Sequence, residues 1–374
     1  MDVLWQGYRG QLNMLGSASV HYTRTDQLCP QTLTRPPVPD DWHRFDTYAP
    51  RIRNLGYERA HAPSGQSLWH PVNFSILEAF RTHHPESPLL PRLRRLRLTT
   101  SYRHFLDLLL TPSLTSISMD FGLCWSIHSE HELITAVLTD AEARCPYLQE
   151  FFVGRTPASP GVEVDGMAYS LPIRRSPTSL QVGEIKRLAA IPRLHRAGFR
   201  VANIADVPSP SQMQQIIAFG SLAVLELHVG SLDIATALLE LLQTPCLEAL
   251  TVNVDDTPDP STVSDFCTAL GSVASSAIFH SLKIHGTVHP AEAPYRAALT
   301  TAPTCVGLIF APILPLSGMR LLEVYLPMGY QMGSDDVVQM GVSWPAIISI
   351  EVWPSVMWNR SSGAALSGQC SLLL

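Results

Sequence analysis

A seven-residue phrase with apolar residues at its first, fourth and sixth places recurs along the chain. Clear copies are Leu93/Leu96/Leu98, Leu114/Ile117/Met119, Leu148/Phe151/Val153, Leu222/Leu225/Leu227, Leu247/Leu250/Val252, Phe279/Leu282/Ile284, Leu321/Val324/Leu326 and Ile347/Ile350/Val352. Weaker copies stand at Ile52/Leu55/Tyr57, Leu180/Val182 and Leu194/Ala197/Phe199. Successive side chains of a strand point to opposite faces, so the fourth and sixth places share one face and the first anchors the strand's entry. The second, third, fifth and seventh places then face outward.

Between the phrases the apolar spacing becomes helical. Ser209-Pro210-Ser211 precedes Met213, Ile216 and Ile217; Ser231 and Asp233 precede Ile234, Ala237, Leu238 and Leu241; Pro260 and Ser261 precede Val263, Phe266 and Leu270. Glu130 to Arg144 carries Leu133, Ile134, Val137 and Leu138, and Asp335-Asp336 opens Val337 to Val342. Acidic and hydroxyl residues at the front of such runs satisfy free N–H groups and suit the positive end of the helix dipole. Repeated strand-then-helix units predict an α/β fold: a leucine-rich-repeat solenoid, or horseshoe, with parallel strands on its concave side and helices on its convex side. First places lie 21 residues apart from Leu93 to Leu114, 28 from Leu194 to Leu222, 25 from Leu222 to Leu247 and 32 from Leu247 to Phe279, so the repeats are irregular. The ninth place, which often holds a ladder-forming Asn, carries Ser101, Gly122, Thr156, Gly230, Asp255, Thr287, Gly329 and Ser355 instead.

This pattern divides the chain into an N-terminal segment with a proline-rich linker over 1–50, a repeat array over 51–357 and a C-terminal tail over 358–374. A proline- and glycine-punctuated loop interrupts the array near 156–178, with a short strand expected at Val162 to Val164. A solenoid exposes an apolar edge unless capped, so the tail is expected either to cover the last strand or to leave the end frayed.

The chain has 374 residues, 46% hydrophobic and 16% charged, enough to bury a sizeable core. Its net charge is −6, which offers no overall basic field for nucleic acid. The seven cysteines are scattered and never form C-x-x-C, as expected of reduced thiols in the cytoplasm or nucleus. The longest nearly uncharged apolar stretch, Val306 to Met319, holds Pro312 and Pro315 and falls short of the ~20 residues a membrane span needs. No membrane association is expected, and Asn73-Phe74-Ser75 and Asn359-Arg360-Ser361 read as chance matches to the glycosylation sequon.

Candidate chemistry is sparse. G-x-S-x-G, G-x-x-x-x-G-K-[ST], H-E-x-x-H and G-x-G-x-x-G are absent. His128-Ser129-Glu130-His131-Glu132 has spacing for two metal ligands on a helical turn, yet a solvated helix entrance explains it equally. The pairs Asp255-Asp256 and Asp335-Asp336 are read as helix-capping residues, and His83-His84 as a solvated loop. Among the tryptophans, Trp42 and Trp344 are expected in the core; Trp125 and Trp353 have both core and surface readings. No catalytic residue, cofactor or metal is expected.

Val3-Leu4-Trp5, then the run from Pro36 through Trp42 to Arg53, then leucine phrases, and finally Leu321 to Pro327 with Asp335-Asp336 and Trp344-Pro345 resemble the large fungal F-box families with degenerate leucine-rich repeats. The resemblance implies the substrate-recognition part of an adaptor for SCF-type ubiquitin ligases. In that family an F-box docks on the Skp adaptor, and it stands ahead of the segment that begins here at Met1. Skp binding is therefore expected only if an F-box lies upstream; otherwise the module has been lost.

The function expected from repeats and resemblance together is a non-catalytic protein-interaction scaffold. Outward-facing candidates for its partner surface are Arg94, Arg95, Arg97, Thr115, Ser116, Ser118, Glu226, His228, Glu248, Thr251 and Asn253. Two alternatives stay open: a polysaccharide-active enzyme on a parallel β-helix, suggested by the acidic pairs, and a truncated family copy without function.

Overall fold

The computed structural model describes residues 39–55, 74–83, 88–98, 104–119, 127–153, 180–201, 217–286, 304–326, 330–331, 334–352 and 371–373. It is an α/β protein whose chain divides into two compact units, the boundary falling within one strand: Glu150 and Phe151 belong to the first unit, Phe152 and Val153 to the second.

In the first unit, helix α1 (Pro39–Tyr48) leads through a short 3-10 turn into strand β1 (Asn54–Leu55). Helix α2 (Phe74–His83), strand β2 (Arg95–Leu98), the one-turn helix α3 (Leu106–Leu109), strand β3 (Ser116–Met119), helix α4 (Ile127–Arg144) and strand β4 (Glu150–Val153) follow. β1 pairs parallel with β2, and β2 with β3. An aromatic knot closes the start of this unit: Trp42 meets Phe80 edge-on at 4.9 Å between centroids, and Phe45 lies 4.5 Å from Phe80. These rings are buried, as the core reading of Trp42 requires.

The second unit continues through helix α5 (Val182–Ala189), strand β5 (Arg196–Val201), strand β6 (Ile217–Ala218), strand β7 (Val224–Val229), helix α6 (Leu232–Leu241) and strand β8 (Leu242–Gln243). Strand β9 (Ala249–Val254), helix α7 (Pro260–Val273), strand β10 (Ser281–Gly286), strand β11 (Thr304–Cys305), helix α8 (Val306–Phe310) and a 3-10 turn (Ala311–Ile313) come next. Strand β12 (Leu321–Tyr325), strand β13 (Tyr330–Gln331), helix α9 (Ser334–Ser343), strand β14 (Ser349–Val352) and strand β15 (Ser371–Leu373) complete it. Strands β5, β7, β9, β10, β12 and β14 pair in that order, all parallel. β15 then adds antiparallel to β14, with Ile350 opposite Leu372, so part of the tail covers the last parallel strand.

The register explains the core. Leu225, Leu250, Leu282, Leu322 and Ile350 stand side by side on successive strands, and Leu227, Val252, Ile284, Val324 and Val352 form the next row. Every one is buried. Leu96 and Leu98 oppose Ile117 and Met119 in the first unit in the same way. Behind the strands, α6 packs on α7, and Val263, Phe266 and Leu270 of α7 are fully buried. Gly271 sits where α7 comes closest to the following 3-10 turn: a Cβ there would meet the Pro312 carbonyl oxygen at 2.6 Å.

Two features escape the seven-residue phrase. Six strands are entered through a turn with proline at its second position: Leu90-Pro91-Arg92-Leu93, Thr111-Pro112-Ser113-Leu114, Cys145-Pro146-Tyr147-Leu148, Ile191-Pro192-Arg193-Leu194, Thr244-Pro245-Cys246-Leu247 and Trp344-Pro345-Ala346-Ile347. In each the last residue's N–H donates to the first residue's carbonyl, at 3.0–3.3 Å, and proline's fixed φ suits the turn's second place. The second feature is a clasp. The carbonyl at the second place of one phrase accepts two N–H groups from the next: Arg53 O from Arg94 and Arg95, Ala223 O from Glu248 and Ala249, Glu248 O from His280 and Ser281, His280 O from Arg320 and Leu321.

That clasp corrects one expectation. The residues equivalent to Phe279/Leu282/Ile284 are Met319/Leu322/Val324, all fully buried, and not Leu321/Val324/Leu326. The double leucine Leu321-Leu322 fits the spacing in two registers, and the pairing of Leu322 with Leu282 selects one. Val182 is not a strand residue either: it opens α5, where Gln181 and Glu184 form a reciprocal capping box. Ile217 lies in β6 and not in a helical run. Short side chains tie neighbouring turns together: Ser113 Oγ donates to Pro91 O at 3.0 Å and Ser221 Oγ to Pro192 O at 2.9 Å. The 156–178 loop, the Val162–Val164 strand, Trp125 and Trp353 lie outside the described residues.

Candidate interaction surface

With every second strand residue committed to the core, the intervening ones form outward rows fixed by the same register. In the second unit one row runs Gly198, Glu226, Thr251, Lys283, Glu323, Glu351 and the next runs Arg200, His228, Asn253, His285, Tyr325. The expected residues Glu226, His228, Thr251 and Asn253 therefore sit together on β7 and β9, while Glu248 stands just ahead of β9 with its carboxylate 3.6 Å from His280. Lys283, His285, Glu323, Tyr325 and Glu351 continue the rows beyond the candidates read from sequence; Lys283, His285 and Glu351 stood at the fifth and seventh places of the phrases opened by Phe279 and Ile347, whereas Glu323 and Tyr325 take those places only in the register set by Leu322 pairing with Leu282.

These side chains hold one another. His228 Nε2 lies 3.2 Å from Glu226 Oε1 and 3.4 Å from Asn253 Nδ2. Lys283 Nζ donates to Glu323 at 2.8 Å, and Tyr325 Oη donates to Glu351 at 2.5 Å. The ring of His285 meets that of Tyr325 edge-on, 4.9 Å between centroids. Arg200 pairs with Asp255, so the Asp255-Asp256 pair does not cap α7 as expected; Asp259 does, accepting the Thr262 N–H at 2.8 Å. The capping reading holds better for Asp335-Asp336, which occupy the first turn of α9.

Burial pushes the imidazole of His285 below its usual range, against the opposing pull of Glu323 and with the help of Lys283. Hydrogen bonds from Thr262 and Ser261 hold the Asp259 carboxyl below the usual carboxylate range. Burial pushes the Cys145 thiol up to about 12 and raises that of Cys267 as well, so both are protonated core residues and poor nucleophiles.

In the first unit, Arg95 and Arg97 of β2 lie opposite Ser116 and Ser118 of β3, on the face away from Leu96 and Leu98. Arg94 and Thr115 precede these strands, and Thr115 Oγ1 donates to Arg94 O at 3.1 Å. The eleven candidates thus fall into two groups, Arg94 to Ser118 in the first unit and Glu226 to Asn253 in the second. His83 ends α2 and is not in a loop; its ring lies 4.8 Å from that of Trp42. His131 and Glu132 lie on α4. Among the described residues no three His, Cys, Asp or Glu side chains are grouped to hold a metal ion, and no helix is long and apolar enough to cross a membrane.

No protein-family model matches the sequence, and no curated protein matches it.

Proposed function

We propose that this chain is a leucine-rich-repeat horseshoe acting as a non-catalytic protein-interaction scaffold, similar to the substrate-binding part of an F-box adaptor of SCF-type ubiquitin ligases. The observation that carries this reading is the pair of outward rows on β5 to β14, whose side chains are held by their neighbours on a register-locked sheet. A partner docking there meets groups already ordered, so little rotamer entropy is lost on binding. The helices α6 and α7 between successive strands favour this scaffold over the β-helix enzyme, which would join its strands by short turns. Asp255, one of the acids that suggested a hydrolase, is engaged by Arg200.

The test is affinity capture on the full chain with a surface variant, Thr251→Arg/Asn253→Arg, and a helix-side control, Glu240→Arg. The expected result is a set of captured proteins lost from the strand-face variant and kept by the control. Identical capture by all three forms, or none by the unaltered chain, would defeat the reading. Purified Skp adaptor belongs in the same assay, with binding expected only if an F-box precedes the residues described.

A further inference from the structure

The segments that lead into β1 and β2 of the first unit carry a group of four arginines. Arg94 and Arg95 both donate their backbone N–H to Arg53 O, at 2.7 and 3.0 Å, and Asn54 pairs with Arg95 across β1 and β2. Arg53 Nη1 in turn donates to Arg92 O at 3.4 Å. Arg95 thus opens β2, Arg53 and Arg94 stand immediately ahead of β1 and β2, and Arg92 lies in the turn that leads into β2. All four are exposed. Among the described residues, the side chains of Arg92, Arg94 and Arg95 make no hydrogen bond or ion pair, whereas Arg81 meets Asp107 at 3.1 Å, Arg144 donates to Asp107 O and Arg200 pairs with Asp255.

Composition does not account for this grouping. Acids outnumber Lys and Arg by 32 to 26, yet none of the described acids is placed to neutralise these arginines. Like charges held together cost stability through repulsion, a cost removed when an anionic partner sits among them. A guanidinium also binds carboxylate bidentately, which gives orientation as well as attraction.

We infer that Arg53, Arg92, Arg94 and Arg95 form a docking point for an extended acidic segment of a protein partner, rich in Asp and Glu. This deepens the scaffold reading and rests on it. Nucleic acid fits less well: the chain is net acidic, so its field opposes a long polyanion beyond the cluster. Residues 52–55 and 88–98 also carry no aromatic side chain on which a base would stack.

The experiment is fluorescence anisotropy of the full chain with a labelled Glu/Asp decapeptide and, separately, a labelled oligouridine. Arg95→Glu should weaken peptide binding about tenfold or more, whereas Arg320→Glu, the same charge change on an exposed arginine of the second unit, should change it less than about twofold. Raising salt from about 50 to about 200 mM should weaken the unaltered chain's binding. Circular dichroism of both variants should match the unaltered chain, because the sites are exposed. Absence of peptide binding, equal losses in the two variants, or tighter oligouridine binding with the same dependence on Arg95 would each overturn the inference. If those results came with partner capture that Thr251→Arg/Asn253→Arg abolishes, the scaffold reading would stand and only the acidic-segment docking point would fall.

Discussion

The two strand faces share a framework and differ in what they do with charge. In both, leucine-type residues at the fourth and sixth places are buried in register, and one carbonyl clasps two N–H groups of the next turn. On the second unit outward charges are spent on each other, Lys283 on Glu323 and Arg200 on Asp255, and Glu226 lies 3.2 Å from the His228 ring nitrogen. On the first, Arg92, Arg94 and Arg95 have no such partner among the described residues. Burial thus dictates only alternate positions of each strand, and the remainder are free to become a self-contained polar network or an unspent cationic patch.

This comparison can be broken most forcefully at the shared framework. Leu250→Ala in the second unit and Leu96→Ala in the first each remove a fully enclosed side chain from an equivalent place, so each should cost about 2–5 kcal/mol. Urea denaturation measures both; a loss confined to one would mean that the frameworks are not equivalent. The next effect down is at the faces. Glu323→Gln removes the half-buried anion facing Lys283 and should cost about 1 kcal/mol, while Arg95→Gln should stay within about 0.5 kcal/mol because nothing described leans on its charge.

Asp259→Ala sharpens the account of helix entry and should cost about 1 kcal/mol through the lost bond to the Thr262 N–H. Its depressed pKa means that the native state releases this proton more readily than the unfolded chain. The stability contributed is present above the unfolded value of 3.8 and lost as pH falls through the folded one. His285 shows the smallest effect, of the basic-group kind. Its folded pKa lies below the unfolded 6.5, so on acidification the unfolded chain takes up the proton first, and stability declines as pH falls from 6.5 toward the folded value. Proton NMR titration of His285 should show its pKa rise in Lys283→Met, where a repelling cation is gone, and fall further in Glu323→Gln.

How much of this could be read from sequence varied with how local the determinant is. Strand positions such as Leu96/Leu98 and helix α7 followed from spacing and from Pro260, because period and capping are properties of a few adjacent residues. The register at Leu321-Leu322 did not, since both leucines satisfy the spacing and only pairing with β10 chooses between them. Outward candidates were legible as far as Asn253. The rest of the rows, from Lys283 to Glu351, depend on strands up to 40 residues apart in the chain coming level, and their mutual bonds are a consequence of that alignment. The X-Pro-x-Leu turns were plain in the letters, but a reading keyed on apolar spacing passes over a proline that only fixes φ.

The carbonyl clasp has a consequence for how such a chain can change over generations. It is made wholly of main-chain atoms, at positions whose side chains range from Arg53 through Ala223 to Glu248 and His280. Alignment between neighbouring repeats is therefore insulated from substitution at the outward places. A lineage can rewrite its outward side chains residue by residue, or lengthen a connecting segment, without first having to rediscover how its strands line up.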